Sequence, residues 1–285
     1  MRVIFERYHG LGNDYIVLDP NKNGLKLNSE RIKLICHRNF GVGSDGILLG
    51  PILEDGKIKL RIFNPDGSEA EKSGNGVRIF SKYLKDAGYV TGNSFTLSTL
   101  GGDVEVHYLS KSGDLLKVSM GKTTFLSTET PVSGPAREVI DEPMIFNDKV
   151  YKSTCLSIGN PHCVIPMDNI SKELACELGP YVETSNNFPN RINMQLLKVL
   201  DRNNIQIEIF ERGAGYTLAS GSSSSAAASA AYRLGLIDNK VTVHMPGGNL
   251  DIEIKPDGSV YMTGPVKTIG SISLSDEFIK ELIQF

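Results

Sequence analysis

The chain has 285 residues, 40% of them hydrophobic and 22% charged, with a formal net charge of −3. That length accommodates two domains of ordinary size, each large enough to bury a core. Neither sign of charge gathers into a run, which excludes a nucleic-acid surface, and no segment approaches the roughly 18 apolar residues of a membrane span. The opening residues, Met1 to Arg7, show no apolar stretch behind a basic start, so a cytoplasmic location is expected. Cys36, Cys155, Cys163 and Cys176 form no metal-binding spacing. They read as thiols of a reducing compartment, with no metal site and no cofactor expected.

In chain order, residues 2–18 read as strand around a glycine-rich break, and residues 58–63 as a second strand. Val77, Phe80 and Leu84 recur at helical spacing ahead of a stop at Gly88. Strand patterns follow at 94–99, 102–109 and 116–120, and Pro, Gly and charged residues cluster at 135–143. Beyond that cluster the order repeats: strand at 205–210, an alanine-rich helix from Ala226 to a stop at Gly235, then strands at 241–244, 250–254 and 260–262. The expected fold is α+β, with two pseudo-symmetric domains at residues 1–140 and 141–285, each a mainly antiparallel sheet wrapped around a central helix. The last residues can return to the first domain.

The repeat is also visible residue by residue. Phe63 and Phe210, Ser73 and Ser220, and Gly12 and Gly159 each stand 147 residues apart, while Gly101 and Gly247 are 146 apart. Four landmarks in register argue for an internal duplication. In both copies a serine precedes small residues and a helix: Ser73 before Gly74, Asn75 and Gly76, and Ser220 before Gly221 and Ser222. Helix starts of this kind expose backbone N–H groups that bind carboxylates. Read singly, each is better taken as merely a turn and a cap. If the two copies are related by a twofold axis, both starts can hold one carboxylate while Ser73 and Ser220 flank the adjacent carbon from opposite faces, as a stereoinversion requires.

The series His9-Gly10-Leu11-Gly12-Asn13-Asp14, Gly41-Val42-Gly43-Ser44-Asp45-Gly46, Phe63-Asn64-Pro65-Asp66-Gly67-Ser68-Glu69, Ser157-Ile158-Gly159-Asn160-Pro161-His162 and Glu211-Arg212-Gly213-Ala214-Gly215 resembles the motifs of diaminopimelate epimerases, in that family's order. The resemblance spans the chain. It implies an enzyme independent of pyridoxal phosphate that interconverts LL- and meso-diaminopimelate on the route to lysine, with the substrate in a cleft between two domains. It leaves a homodimer open. By the same resemblance Asn13, Asn64, Asn160, Asn193, Glu211 and Arg212 contact substrate, and the amides of Gly74, Asn75, Gly221 and Ser222 cradle the reacting carboxylate. His162 falls beside one of the bases. A guanidinium at Arg212 suits a distal carboxylate and Glu211 suits an ammonium group, although an adjacent Glu-Arg pair is also what a surface salt bridge looks like.

The chain departs from the family where the chemistry is centred. The family's two proton carriers are cysteines, and Ser73 and Ser220 stand in their places. A thiol ionises near 8.5 and lower at a helix start, whereas an alcohol is several units less acidic. A helix dipole contributes only about 0.3 to 2 kcal/mol, too little to close that gap. Three readings remain open: a deliberate pair of Cys→Ser changes, a divergent enzyme in which His162 or Glu211 moves the proton, and a non-catalytic amino-acid-binding relative. The divergent enzyme could be a racemase for another polar amino acid such as histidine. Tyr216 is a further departure, standing where many relatives carry a smaller or acidic residue.

Overall fold

The computed structural model describes residues 2–71 and 73–285. Two compact units emerge, one made of the residues up to Val118 together with Gly264–Phe285, the other of Ser119–Thr263.

In the first unit β1 (Ile4–Gly10) turns through Leu11 and Gly12, both at positive φ, into an antiparallel β2 (Asn13–Leu18). After α1 (Ser29–Cys36), β3 (Ile47–Glu54) joins β2 in parallel, and β4 (Lys57–Phe63) and the short β5 (Glu69–Ala70) add antiparallel. Next come α2 (Gly74–Asp86) and β6 (Ser94–Thr99), which lies parallel to β4, and then the antiparallel β7 (Gly102–Tyr108) and β8 (Leu115–Lys122).

The second unit repeats this order after an added strand, β9 (Glu142–Phe146), which pairs with β10 (Lys149–Ser157). The rest are β11 (Pro161–Pro166), α3 (Lys172–Glu183), β12 (Asn193–Asp201), β13 (Asn204–Glu211), β14 (Gly215–Thr217), α4 (Gly221–Arg233), β15 (Lys240–Met245), β16 (Gly248–Ile254) and β17 (Ser259–Pro265). The duplication extends to strand register. Ile16 pairs with Ile47 and Ile47 with Phe63, and 147 residues on Cys163 pairs with Met194 and Met194 with Phe210. The parallel step Ile58–Leu97 recurs as Ile205–Val243, one residue shorter on its second strand.

The division does not fall at residue 140. Val132, Val139, Met144 and Phe146 are buried with Cys155, Cys163 and Met194, so the proline-rich segment belongs to the core of the second unit. At the other end β18 (Lys267–Ser273) pairs with β1, and α5 (Asp276–Ile283) sets Ile279 and Leu282 against Val3, Phe5 and Ile32. Burial of these apolar faces draws the C-terminal residues into the first unit.

Each unit encloses one helix. The first eleven residues of α2 are all buried, and α4 is buried from Ser223 to Ala231. Small side chains allow the strands around α4 to close on it, and three of its buried hydroxyls bond back along the helix: Ser224 donates to Ser220 O, Ser225 to Gly221 O and Ser229 to Ser225 O. Both helices end alike, on glycines at positive φ, Gly88 and Gly235.

Candidate active site

Ser73 and Ser220 are the N-caps of α2 and α4. Ser73 Oγ accepts from the Gly76 N–H at 3.0 Å, and Ser220 Oγ from the Ser223 N–H at 3.4 Å. Each cap holds the third N–H of its helix, and among the described residues nothing accepts from Gly74 and Asn75 or from Gly221 and Ser222. Helix starts usually gain from nearby carboxylates, and α1, α3 and α5 carry Glu30, Glu173, and Asp276 with Glu277 in their first turns. The first turns of α2 and α4 hold no acidic residue. Their positive ends are left for an external anion.

In the first unit Tyr15 reaches the cap, with its hydroxyl 3.3 Å from Ser73 Oγ. Gly46 makes room for this, since a Cβ there would meet Phe63 O at 2.5 Å and the Tyr15 ring at 2.7 Å. A hydrogen-bond relay fixes the amides beside the cap. Arg78 Nη2 donates to Asn75 Oδ1 at 2.8 Å, Asn75 Nδ2 to Asn13 Oδ1 at 3.1 Å, and Asn13 Nδ2 to Asp45 Oδ2 at 3.0 Å. Asp45 is held by Arg38 at 2.6 Å, and Arg38 also grips Asp14, whose carboxyl is shared with Arg7. Arg78 is fully buried, and burial pulls its guanidinium down to about 10, still charged at neutral pH. Asn64 bonds within its own turn, to Ser68 Oγ at 3.0 Å, and joins none of these groups.

In the second unit the expected residues converge. Asn193 accepts from the Arg212 N–H at 3.0 Å and donates to Pro161 O at 2.8 Å, tying the Arg212 loop to the strand that carries His162. Glu183 adds a second tie by accepting from the Gly213 N–H at 2.7 Å. The exposed Arg212 guanidinium donates to Asn190 O and makes no ion pair among the described residues. Glu211 accepts from Thr217 Oγ1 and lies near the Ser220 hydroxyl, and burial pushes its carboxyl above the ordinary range. A desolvated carboxyl beside the cap hydroxyl is equipped to take a proton.

His162 differs from the expectation of a group standing beside a base. It is fully buried, with Nε2 3.0 Å from Asn160 Oδ1 and Nδ1 3.3 Å from Gln195 Oε1, and burial holds its pKa down at about 3. A neutral ring with both nitrogens engaged is not a proton carrier at neutral pH. It supports Asn160, whose Nδ2 donates to Ser222 Oγ at 3.4 Å. Tyr216 turns its hydroxyl away to Glu208 at 2.7 Å, and its ring lies under Lys172.

Sequence reasoning missed Tyr15, Arg78 and Gln195. The last two had a signal: Arg78 interrupts an apolar helix, and Gln195 sits inside the buried run from Asn193 to Leu197. Polar groups in such places must find partners. Among the described residues no group of His, Cys, Asp and Glu could hold a metal ion, and no helix is long and apolar enough to cross a membrane.

Comparison with known proteins bears on the fold and the family. The family model described as diaminopimelate epimerase matches residues 5–126 and 154–269. The diaminopimelate epimerase 2 of Nostoc sp. is 54% identical over 274 residues, covering 96% of each chain. The diaminopimelate epimerase of Moorella thermoacetica is 37% identical, covering 92% of this chain and 95% of its own. Among solved structures, a probable proline racemase from Agrobacterium radiobacter K84 superposes with a TM-score of 0.70 at 14% identity, over 96% of this chain and 93% of that one. That structure shares the fold. With two duplicated units, each capped by a serine at an acid-free helix start, and with relatives matched along nearly its whole length, the chain belongs to the diaminopimelate epimerase family.

Proposed function

We propose that the chain interconverts LL- and meso-diaminopimelate by proton transfer at the α-carbon. Ser73 and Ser220 stand at the two base positions, and their hydroxyls lower its turnover. The observation that carries this reading is the pair of acid-free, serine-capped starts of α2 and α4, set against three other helices with acidic first turns. Each offers two N–H groups to a carboxylate. Arg212, with no ion pair among the described residues, suits the distal carboxylate of such a substrate. Glu211 is assigned to proton handling at Ser220, because its carboxyl is desolvated and lies near that hydroxyl.

The test is loss of the α-proton signal of diaminopimelate in heavy water, comparing this chain with Ser73→Cys, Ser220→Cys and the double variant. The double thiol variant should exchange faster by about 10²-fold or more. Absence of exchange and inversion in a folded double variant would overturn the reading.

One observation favours a second reading, an amino-acid-binding relative without turnover: both hydroxyls are already engaged as caps. Calorimetric binding without exchange, even with thiols in place, would establish it. A racemase for another polar amino acid, histidine for example, would instead show deuterium entering only that substrate when a panel is offered.

A further inference from the structure

The mouth of α4 is the end of a buried chain of polar groups. Gln195 and Ser223 are fully buried, and Gln195 Nε2 lies 3.0 Å from Ser223 Oγ. From Gln195 Oε1 the chain passes to His162 Nδ1 at 3.3 Å, from His162 Nε2 to Asn160 Oδ1 at 3.0 Å, and from Asn160 Nδ2 to Ser222 Oγ at 3.4 Å. Ser222 Oγ is 3.4 Å from Ser220 Oγ, and the Ser220 hydroxyl lies near the Glu211 carboxyl.

Written this way, the chain has a conflict at its centre. Both ring nitrogens of His162 face amide oxygens, yet a neutral imidazole has one N–H to give. One amide must turn its nitrogen toward the ring, and the two ends of an amide are too alike in size for geometry alone to choose. Turning Asn160 would leave Ser223 accepting from Gln195 with no recipient for its own proton. Turning Gln195 satisfies every group and points every donor the same way. Ser223 Oγ then donates to Gln195, Gln195 to His162 Nδ1, His162 Nε2 to Asn160, Asn160 to Ser222, Ser222 to Ser220 and Ser220 to Glu211.

We propose that Gln195 is a positioning residue of this site: by donating to His162 Nδ1 it selects the Nε2–H tautomer and, through Asn160 and Ser222, aims the Ser220 hydroxyl proton at Glu211. The proposal rests on the reading of Ser220 as a base position, but its primary test does not depend on turnover. Nitrogen-15 spectra of the imidazoles in the whole chain should show His162 as a single Nε2–H tautomer that does not titrate between pH 5 and 9. An Nδ1–H tautomer in the unsubstituted chain would overturn the proposal outright, whether or not any variant folds. In Gln195→Leu the His162 nitrogens should shift to a mixture of tautomers, and α-proton exchange by the double thiol variant should fall on the order of tenfold. Gln195→Glu, protonated in this buried place, should retain the Nε2–H form. Unchanged His162 shifts in a folded Gln195→Leu chain would also count against it. If the tautomer is as stated and no variant exchanges any substrate, the function fails while the positioning stands.

Discussion

The starts of α2 and α4 share one backbone and differ in what stands behind it. Both are thirteen-residue helices capped by serine and ended by glycine. Behind Ser73 lie a tyrosine hydroxyl and a buried, charged Arg78 that orders Asn75, Asn13 and Asp45. Behind Ser220 lie a desolvated carboxyl and a neutral imidazole between two amides. Duplication has kept the cap and the N–H groups, which suit a carboxylate whatever a reaction's direction. It has not kept the side chains behind them. An inversion needs a donor and an acceptor at any instant, so unlike backing for like caps is chemically useful.

The comparison breaks most visibly at Glu211. Glu211→Gln in the double thiol variant should cut α-proton exchange by about 10²-fold or more if this carboxyl takes the proton. If Tyr15→Phe cuts it equally, the two starts are equivalent and the asymmetry is wrong.

The pH dependence of stability sharpens the same point. The folded pKa of His162, about 3, is below its ordinary 6.5, so the folded state binds fewer protons than the unfolded one between those values. Its contribution is complete above pH 6.5 and is lost as the pH falls toward 3, at about 1.4 kcal/mol per unit. Glu211 acts oppositely, since its raised pKa stabilises the fold below the ordinary carboxyl range and that gain is lost as pH rises. Urea midpoints measured from pH 7 to 5 should therefore fall, and His162→Gln should flatten the slope.

Arg78→Met should cost about 2 to 3 kcal/mol in urea unfolding, because it leaves Asn75 Oδ1 buried without its donor. It should leave the His162 spectrum unchanged, showing that the relay in one unit is separate from the chain in the other. The smallest effect is expected of Tyr15→Phe, which removes one hydroxyl contact: about 1 kcal/mol or less in stability and a few-fold in exchange.

Much of the architecture was legible because it rests on local rules. Gly88 and Gly235 end helices by adopting positive φ, and Ser73 and Ser220 begin them by capping. Strands with one exposed face, such as β7 and β16, alternate and were readable. Strands β2, β11 and β12 are buried on both faces, so their apolar runs lack a period of two, and β11 and β12 were not placed. The boundary was misread because proline-rich composition signals a linker, whereas Val139 and Phe146 are core residues whose partners lie beyond it in sequence.

By itself the amino-acid sequence determined the duplication, the α+β class, the two serine-capped helix starts and the family, since each depends on residues close together or repeated at a constant interval. Only the tertiary structure decided that His162 is buried between two amides, that Glu211 lies near Ser220, that Gln195 sits between His162 and Ser223, and that Arg78 holds Asn75. Those properties depend on desolvation and on hydrogen bonds between strands and helices far apart in the chain. The energy of a buried polar group is set by its surroundings, which no local pattern of residues records.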